Sequence, residues 1–425
     1  MRGNTPLGTL RGLRGNTRLC VLTEPMFGIP HYLYLPYVSL YMSELGVSDA
    51  RIGMIVSVGL LFQVLATFFG GAFADKYGRR RTTFVADTLS WSIPTLLWTF
   101  ARNEWWFFAA AAANATCVVA DNGWNCLLVE DCPKRELVDV YTLVSMAGLL
   151  SVFFAPLAGV FVRRYTVVPT MRVLYFIAFV FMTAKFILLY ARGTETSVGR
   201  ARMREMGGTP LFAHLGRYPA VFKKLVRSRG AMLALMIRIL LSVTNMVAAN
   251  FFALYAVGAL GVPAEYMSYF PMVRAAIALF FMLFLQRSMA RMPLRPMMAA
   301  GAALYIGATA ALLLAGRAGG LLLAVYVVCD AVGFSIFVPR SDSIYTLFID
   351  REERAVMTSL TGVIMLAASA PFGAIAGALS EIDRRAPFVL SLALYALCLL
   401  LVLASRALRE QDRALAAAAA DTAPR

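Results

Sequence analysis

The feature that most constrains the fold of this chain is a series of apolar runs of about twenty or more residues, separated by short charged clusters. A helical run of that length crosses the ~30 Å hydrocarbon core of a bilayer. The chain is 60% hydrophobic and 15% charged, whereas soluble domains are about 45–50% apolar and about 25% charged. The predicted fold class is therefore an all-α membrane protein.

The apolar runs predict twelve transmembrane helices, called spans 1 to 12 below. Both termini are expected in the cytoplasm, because that orientation places 29 of the 40 Lys and Arg residues in cytoplasmic segments and 8 in outside loops, in agreement with the positive-inside rule. The predicted spans are 19–44, 52–74, 81–101, 105–130, 137–162, 171–191, 231–257, 265–286, 295–315, 320–340, 354–380 and 387–405.

The longest loop divides the predicted spans into two six-helix bundles. The halves resemble each other, since Ala155-Pro156 in span 5 matches Ala370-Pro371 in span 11, and Pro156 and Pro371 are predicted helix kinks. Two such repeats are typical of transporters. The expected organisation is a cytoplasmic tail at 1–18, a six-helix bundle at 19–192, a cytoplasmic linker at 193–230, a second bundle at 231–405 and a cytoplasmic tail at 406–425.

The linker contains an amphipathic pattern. Apolar residues recur at helical spacing beside basic residues, which suits a short helix lying on an anionic inner leaflet. A disordered basic tether explains the composition equally well. The apolar positions are Leu211, Leu215, Tyr218, Phe222 and Leu225, and the basic ones are Lys223, Lys224, Arg227 and Arg229.

Several function classes find no support in the sequence. The net charge of +16 is spread between apolar runs, which argues against a nucleic-acid partner. The six cysteines lack disulfide or metal-site spacing, so no metal or other cofactor is expected. With His31 and His214 as its two histidines, the chain offers no catalytic constellation. It also has no phosphate-binding loop for ATP.

The most specific motif lies between spans 2 and 3. Gly71 is expected to permit close helix approach, Gly78 to allow a tight turn, and Asp75 to accept hydrogen bonds from backbone N–H groups or from the arginines of the motif. The motif reads Gly71-Ala72-Phe73-Ala74-Asp75-Lys76-Tyr77-Gly78-Arg79-Arg80-Arg81.

This motif resembles the G-x-x-x-D-[RK]-x-G-R-[RK]-[RK] signature of the major facilitator superfamily, and the twelve spans and central loop extend the resemblance over nearly the whole chain. The resemblance implies two pseudo-symmetric bundles that bind a small solute between them by alternating access. It also implies that the signature loop latches the halves on the cytoplasmic side, with Asp75 near a helix N-terminus of the other half.

Two further segments resemble family motifs less closely. Gln286–Arg291 after span 8 keeps the basic charge of a second signature loop but lacks its aspartate. Span 5 resembles the antiporter motif that ends in Gly-Pro-x-x-Gly-Gly, although Ala155 and Val160 replace two of its glycines. The span 5 pattern favours efflux, but a simple proline kink explains it equally well.

Ionisable and polar residues inside apolar spans are the candidate substrate or proton sites, because burying a charge in lipid costs at least ~2.5–3.5 kcal/mol. Interhelical hydrogen bonding is the structural alternative for the polar cluster of span 4. Lys185 in span 6 is instead expected to extend its ammonium toward the cytoplasm. The candidates are Glu24, His31, Tyr32, Asp121, Asn122, Trp124, Asn125, Arg238, Arg274 and Asp330.

The predicted function is proton-coupled export of small amphipathic compounds across the inner membrane by a multi-pass monomer. Sodium is an alternative coupling ion. Import of a small nutrient, or a non-transporting sensor or scaffold on the same fold, remain alternative functions, and flux measurements in vesicles discriminate among all three. Asp330 is predicted to carry the proton and Arg274 to tune it, whereas a static salt bridge between spans 8 and 10 is the structural alternative.

Overall fold

A computed structural model describes residues 10, 12–206, 218–285, 289, 292–317, 319–348 and 354–421. Every regular element in these residues is a helix, so the predicted all-α class is confirmed. The Cα positions cluster into two compact units. Unit 1 comprises Met1–Gly216 with Ala264–Tyr269, and unit 2 comprises Arg217–Pro263 with Phe270–Arg425.

The helices of the first half and the linker coincide with predicted spans 1 to 6 and add two elements in the linker. They are α1 (Gly15–Tyr34), α2 (Val38–Glu44), α3 (Asp49–Tyr77), α4 (Arg79–Asp87), α5 (Ile93–Thr99), α6 (Glu104–Asn114), α7 (Cys117–Val129), α8 (Leu137–Val152), α9 (Ala155–Tyr165), α10 (Val167–Arg192), α11 (Ser197–Met206) and α12 (Tyr218–Arg227).

The helices of the second half coincide with predicted spans 7 to 12 and add one after span 12. They are α13 (Arg229–Gly258), α14 (Tyr269–Phe280), α15 (Leu294–Leu314), α16 (Gly320–Phe348), α17 (Arg354–Ile382), α18 (Ala386–Ala404) and α19 (Arg406–Asp421). A 3₁₀ turn, Ala264–Ser268, precedes α14, and a π-helix, Phe281–Leu285, follows it.

Nine helical segments within the described ranges are long and apolar enough to cross a bilayer. The helices at predicted spans 1, 3 and 4 are interrupted instead. A 3₁₀ turn at Leu35–Tyr37 containing Pro36 separates α1 from α2, a π-helix at Thr88–Ser92 separates α4 from α5, and two residues, 115 and 116, separate α6 from α7. The count of twelve spans and the cytoplasmic termini therefore stay predictions.

The two prolines expected to kink helices lie in different settings. Span 5 is broken between Val152 and Ala155, and Pro156 stands in the first turn of α9, where its missing N–H would be unsatisfied anyway. Pro371 lies inside the continuous helix α17.

Large apolar side chains cover the outside of both units, as expected for helices surrounded by lipid. Ile382 is 85% exposed, and Leu321 and Leu400 are also exposed. Pairs of buried tyrosine rings lie in the interior of each unit. In unit 1 the rings of Tyr34 and Tyr175 lie 4.9 Å apart, and in unit 2 Tyr305 stacks on Tyr395 at 4.7 Å.

The amphipathic linker pattern falls partly on described residues. Residues 209–217, including Leu211 and Leu215, lie outside them, and α12 forms the rest. Leu225 of α12 is buried in the apolar core of unit 2, whereas Phe222 is 49% exposed. Contact of α12 with the inner leaflet stays a prediction.

Span 5 packs closely on the turn before α14. A Cβ atom added at Gly159 in α9 would collide with the backbone carbonyl oxygen of Glu265 and would lie 2.8 Å from Ser268 Oγ. A Cβ atom added at Gly148 in α8 would meet no atom within 4 Å. The glycine in the antiporter-like pattern is therefore required by packing against the Ala264–Ser268 turn.

We expect Gly159→Ala to lower the melting temperature of the purified protein and Gly148→Ala to leave it unchanged or raise it. Overpacking costs about 1–3 kcal/mol, which exceeds the gain of about 0.5–1 kcal/mol from replacing glycine in a helix. Thermal unfolding in detergent measures both variants. Equal melting temperatures would contradict the packing argument.

Candidate functional site

The signature loop between α3 and α4 is organised by Arg79, whose side chain is only 8% exposed. Its Nη1 lies 2.5 Å from Asp75 Oδ1, and its Nε lies 3.1 Å from Glu130 Oε1. One guanidinium thus joins the end of α3 to the end of α7 through two charge-assisted hydrogen bonds. Asp75 accepts from an arginine of its own motif, as the sequence predicts.

Gly78 and Glu195 shape the start of α4. The φ of Gly78 is +87°, a conformation that favours glycine. The carboxylate of Glu195 accepts hydrogen bonds from the backbone N–H groups of Arg79 at 2.9 Å and Arg80 at 3.0 Å. Glu195 therefore caps the helix from a distant segment. A Cβ atom at Gly78 would lie 2.5 Å from Glu195 Oε2, so the cap also requires glycine there.

The remaining residues of the motif differ in their contacts. Arg80 Nε donates to the carbonyl of Tyr190 at 2.7 Å, and its guanidinium lies 4.4 Å from the centre of the Tyr190 ring. Lys76 and Arg81 form no ion pair with any described residue. The expectation for Gly71 is not met within the described structure, because a Cβ atom there would meet nothing within 4 Å; the close approach is at Gly70, 3.3 Å from Val119.

The start of the linker completes the network around the motif. Thr196 Oγ1 donates to the second carboxylate oxygen of Glu130. The backbone N–H and Oγ of Ser197 both donate to Asp131 Oδ1, at 3.1 Å and 2.6 Å. The loops after α3, α7 and α10 are therefore held together inside unit 1.

Unit 2 contains the counterpart of the Glu195 cap. Asp412 in α19 accepts hydrogen bonds from the N–H groups of Leu294 at 2.7 Å and Arg295 at 3.1 Å. In both halves, then, a carboxylate that follows the sixth span caps the third span. Sequence reasoning missed Glu195 and Asp412, although acidic residues at equivalent places in two repeats were a usable signal.

The charged candidates of span 1 lie in an aromatic part of unit 1. Glu24 Oε2 lies 2.9 Å from Lys185 Nζ, and the Lys185 side chain is only 5% exposed. The prediction that Lys185 extends toward the cytoplasm is wrong, because an ion pair inside the unit holds it. His31 shares a hydrogen bond of 2.9 Å with Tyr34 Oη, and its ring lies 5.5 Å from that of Tyr32.

Two residues of the polar cluster of α7 contact other side chains of unit 1, and two are exposed. Trp124 Nε1 is buried without a hydrogen-bond partner among the described residues, and the Trp124 ring lies 5.6 Å from Lys185 Nζ. Asn125 accepts from Tyr141 Oη at 2.9 Å. Asp121 and Asn122 are exposed.

The charged candidates of unit 2 are paired. Arg274 Nε in α14 lies 3.3 Å from Asp330 Oδ2 in α16, and the Asp330 side chain is 17% exposed. The Arg274 guanidinium also lies 4.4 Å from the Phe334 ring. Arg238 Nη1 lies 2.7 Å from Asp342 Oδ1, a partner that sequence reasoning did not identify. No cluster of three or more metal-ligating side chains occurs in the described part of the chain.

Comparisons with known proteins agree with this architecture. The sequence profile of the Major Facilitator Superfamily matches residues 26–374. The multidrug resistance protein MdtG of Serratia proteamaculans (strain 568) is 28% identical over 191 residues, 43% of this chain and 44% of that protein. The uncharacterized MFS-type transporter YqjV of Bacillus subtilis (strain 168) is 26% identical over 129 residues, 30% of this chain and 31% of that protein.

The chain thus spans less than half the length of these curated relatives. A crystal structure of the nucleoside transporter NupG superposes with a TM-score of 0.70 at 13% identity, over 93% of this chain and 99% of that one. At this identity the match shows the fold alone.

We expect Glu195→Ala to destabilise the protein by about 1–2 kcal/mol, because two N–H groups at the start of α4 lose their acceptor. Glu205→Ala is the matched control, since Glu205 is an exposed residue that pairs with Arg202 on the same helix at 3.0 Å. Thermal unfolding in detergent compares the two variants. Equal stability would mean that Glu195 does not cap α4.

Proposed function

Because this chain belongs to the major facilitator superfamily, we propose that it is a secondary active transporter that exports small amphipathic compounds in exchange for protons. The observation that carries the proposal is the Arg274–Asp330 ion pair, which lies away from the ends of two apolar helices. A charge in that setting costs free energy unless it is paired or has a function. The multidrug resistance name of the relative MdtG supports export over import.

The Arg274–Asp330 pair suits a proton carrier on physical grounds. At a separation of 3.3 Å, the positive charge of Arg274 stabilises the anionic form of the carboxylate. A movement that separates the pair, or a substrate that competes for Arg274, leaves Asp330 in an apolar site, where the neutral acid is favoured. Proton uptake is thereby linked to the conformational state.

The substrate is proposed to contact the polar and aromatic residues that the sequence indicates as candidates. Aromatic rings and a few polar groups are the usual lining of sites for small amphipathic molecules. In unit 1 these are Glu24, His31, Tyr32, Asp121, Asn122, Trp124 and Asn125, and in unit 2 they are Arg238, Arg274 and Asp330.

The signature loop is proposed to act as a conformational latch. The Asp75–Arg79–Glu130 network holds the loop in place within unit 1. A loop held in one arrangement can stabilise one conformation of the transport cycle over another. The residues that form the latch are Gly71, Asp75, Lys76, Gly78, Arg79, Arg80 and Arg81.

We expect Asp330→Asn to abolish transport driven by a pH gradient while substrate binding and counterflow exchange persist, because the amide occupies the same space but binds no proton. Proteoliposomes with an imposed pH gradient measure the driven flux, and labelled substrate measures exchange. Glu410→Gln, at an exposed position of α19, is the control. Intact pH-driven flux in Asp330→Asn would eliminate the carrier role.

We expect Asp75→Asn to slow transport about tenfold with normal amounts of folded protein in the membrane. A charge-assisted hydrogen bond contributes about 1.5 kcal/mol, which corresponds to roughly a tenfold shift between conformations. Initial transport rates in vesicles, normalised to protein amount, give the result. Asp139→Asn, at an exposed position of α8, serves as the control, and wild-type rates for Asp75→Asn would remove the latch.

A further inference from the structure

A groove of about 480 Å³ lies on unit 1 between α3 and α4, beside the signature loop. Large side chains form its two walls at a spacing of four residues. One wall consists of Phe69, Phe73 and Tyr77 of α3, and the other consists of Arg81, Val85 and Leu89 of α4. Residues four positions apart lie on the same face of a helix, so each wall is a continuous row of side chains.

The floor of the groove consists of small residues that join three helices. Ala66 of α3 packs against the buried residues Ala86 of α4 and Val119 of α7. Near the loop, Thr82 Oγ1 donates a hydrogen bond to the carbonyl oxygen of Phe73 at 3.2 Å, which connects α4 to α3. Contacts between the helices therefore fix the shape of the groove.

Both walls are open at the surface of the protein. Tyr77 is 44% exposed and Val85 is 47% exposed, and Phe73 and Leu89 are also exposed. The rings of Phe73 and Tyr77 stack at 5.9 Å, so they present one apolar surface to the groove. Because α3 is long and apolar enough to cross a bilayer, the open side of the groove is accessible to lipid tails.

The groove has nearly the length of one lipid leaflet. Arg81 and Leu89 are eight positions apart in α4, which corresponds to a rise of about 12 Å along the helix. Half of the hydrocarbon core of a bilayer is about 15 Å thick. The groove therefore extends from the level of the signature loop toward the middle of the membrane, as the acyl chain of a single leaflet does.

Arg81 places a positive charge at the loop end of the groove. The charge of the neighbouring Arg79 is balanced by Asp75 and Glu130. Arg81 is exposed and forms no ion pair with any residue in the described part of the chain. The signature loop lies at the membrane face that the distribution of Lys and Arg predicts to be cytoplasmic, and anionic lipids of that leaflet attract basic side chains.

We propose that this groove binds an anionic phospholipid, with the lipid phosphate on Arg81 and one acyl chain between the two walls. The phosphate accepts charge-assisted hydrogen bonds from the guanidinium, and the chain covers the exposed apolar surface of Phe73, Val85 and Leu89. A zwitterionic headgroup brings a positive charge of its own close to Arg81 and therefore binds more weakly. A free phosphate lacks the chain that the walls would hold.

Phosphatidylglycerol with a photoreactive diazirine on its acyl chain locates the lipid on the purified full-length protein. We expect crosslinks on the peptides that contain Phe73 and Val85. Unlabelled phosphatidylglycerol is expected to compete about tenfold better than phosphatidylcholine with the same acyl chains, because Arg81 favours the headgroup with a net negative charge. Equal competition by the two lipids, or competition by soluble glycerol phosphate, would overturn the proposal.

Arg81→Gln tests the charge at the end of the groove. We expect the two lipids to compete equally in this variant, because the neutral amide does not distinguish their headgroups. Arg192→Gln is the matched control, since Arg192 is an exposed arginine in the last turn of α10, at the same predicted membrane face and outside the groove lining. A preference that persists in Arg81→Gln, or that Arg192→Gln abolishes equally, would overturn the proposal.

Ala66→Phe tests the apolar part of the site, because a ring on the floor occupies the space of the acyl chain. Crosslinking at Val85 is expected to fall several-fold, whereas Leu65→Phe, at a 55% exposed position outside the groove lining, is expected to retain it. Unchanged crosslinking in Ala66→Phe would contradict the proposal. If Ala66→Phe does not fold, Arg81→Gln still decides, because it alters an exposed side chain. None of these measurements requires transport, so they test the lipid site independently of the proposed function.

Discussion

Lipid offers no hydrogen bonds, and this constraint underlies most of the structure. Backbone groups in the apolar core must be satisfied within each helix, and charged side chains must find partners inside the protein. The Glu24–Lys185 and Arg274–Asp330 pairs meet this requirement in units 1 and 2.

The two units meet the constraint differently. In unit 2, Arg238 pairs with Asp342 and Arg274 pairs with Asp330, whereas the buried Arg340 donates to two backbone carbonyl groups. In unit 1, Lys185 pairs with Glu24 and its ammonium lies 4.8 Å from the centre of the Phe27 ring. Unit 2 thus differs from unit 1 in satisfying one buried guanidinium through backbone carbonyl groups.

The starts of two helices, one in each half, are capped in the same way. Glu195 and Asp412 each follow the sixth span of their own half and cap the start of its third span. Each carboxylate satisfies two backbone N–H groups and complements the helix dipole. The repeat of the two halves is therefore visible in these hydrogen bonds as well as in the order of the helices. The Glu195 cap also connects the linker to the signature loop.

The sequence by itself determined the helical class, the positions of the helices and the signature loop. Apolar length and charged breaks are local properties, and most helix bounds follow them within a few residues, although α16 ends at Phe348 and not at residue 340. The Arg274–Asp330 pair was also predictable, because a charge in an apolar span costs free energy unless an opposite charge at a similar depth pairs with it. Only the tertiary structure decided the rest.

Gly70, and not Gly71, lies at the close contact between helices. Lys185 forms an ion pair with Glu24 inside unit 1. Glu195 caps α4 although it lies more than one hundred residues later in the chain. The interruptions at Thr88–Ser92 and Val152–Ala155 likewise leave no mark in hydropathy. Such features depend on which faces of distant helices meet, and periodicity within one helix carries no information about the neighbour it will find.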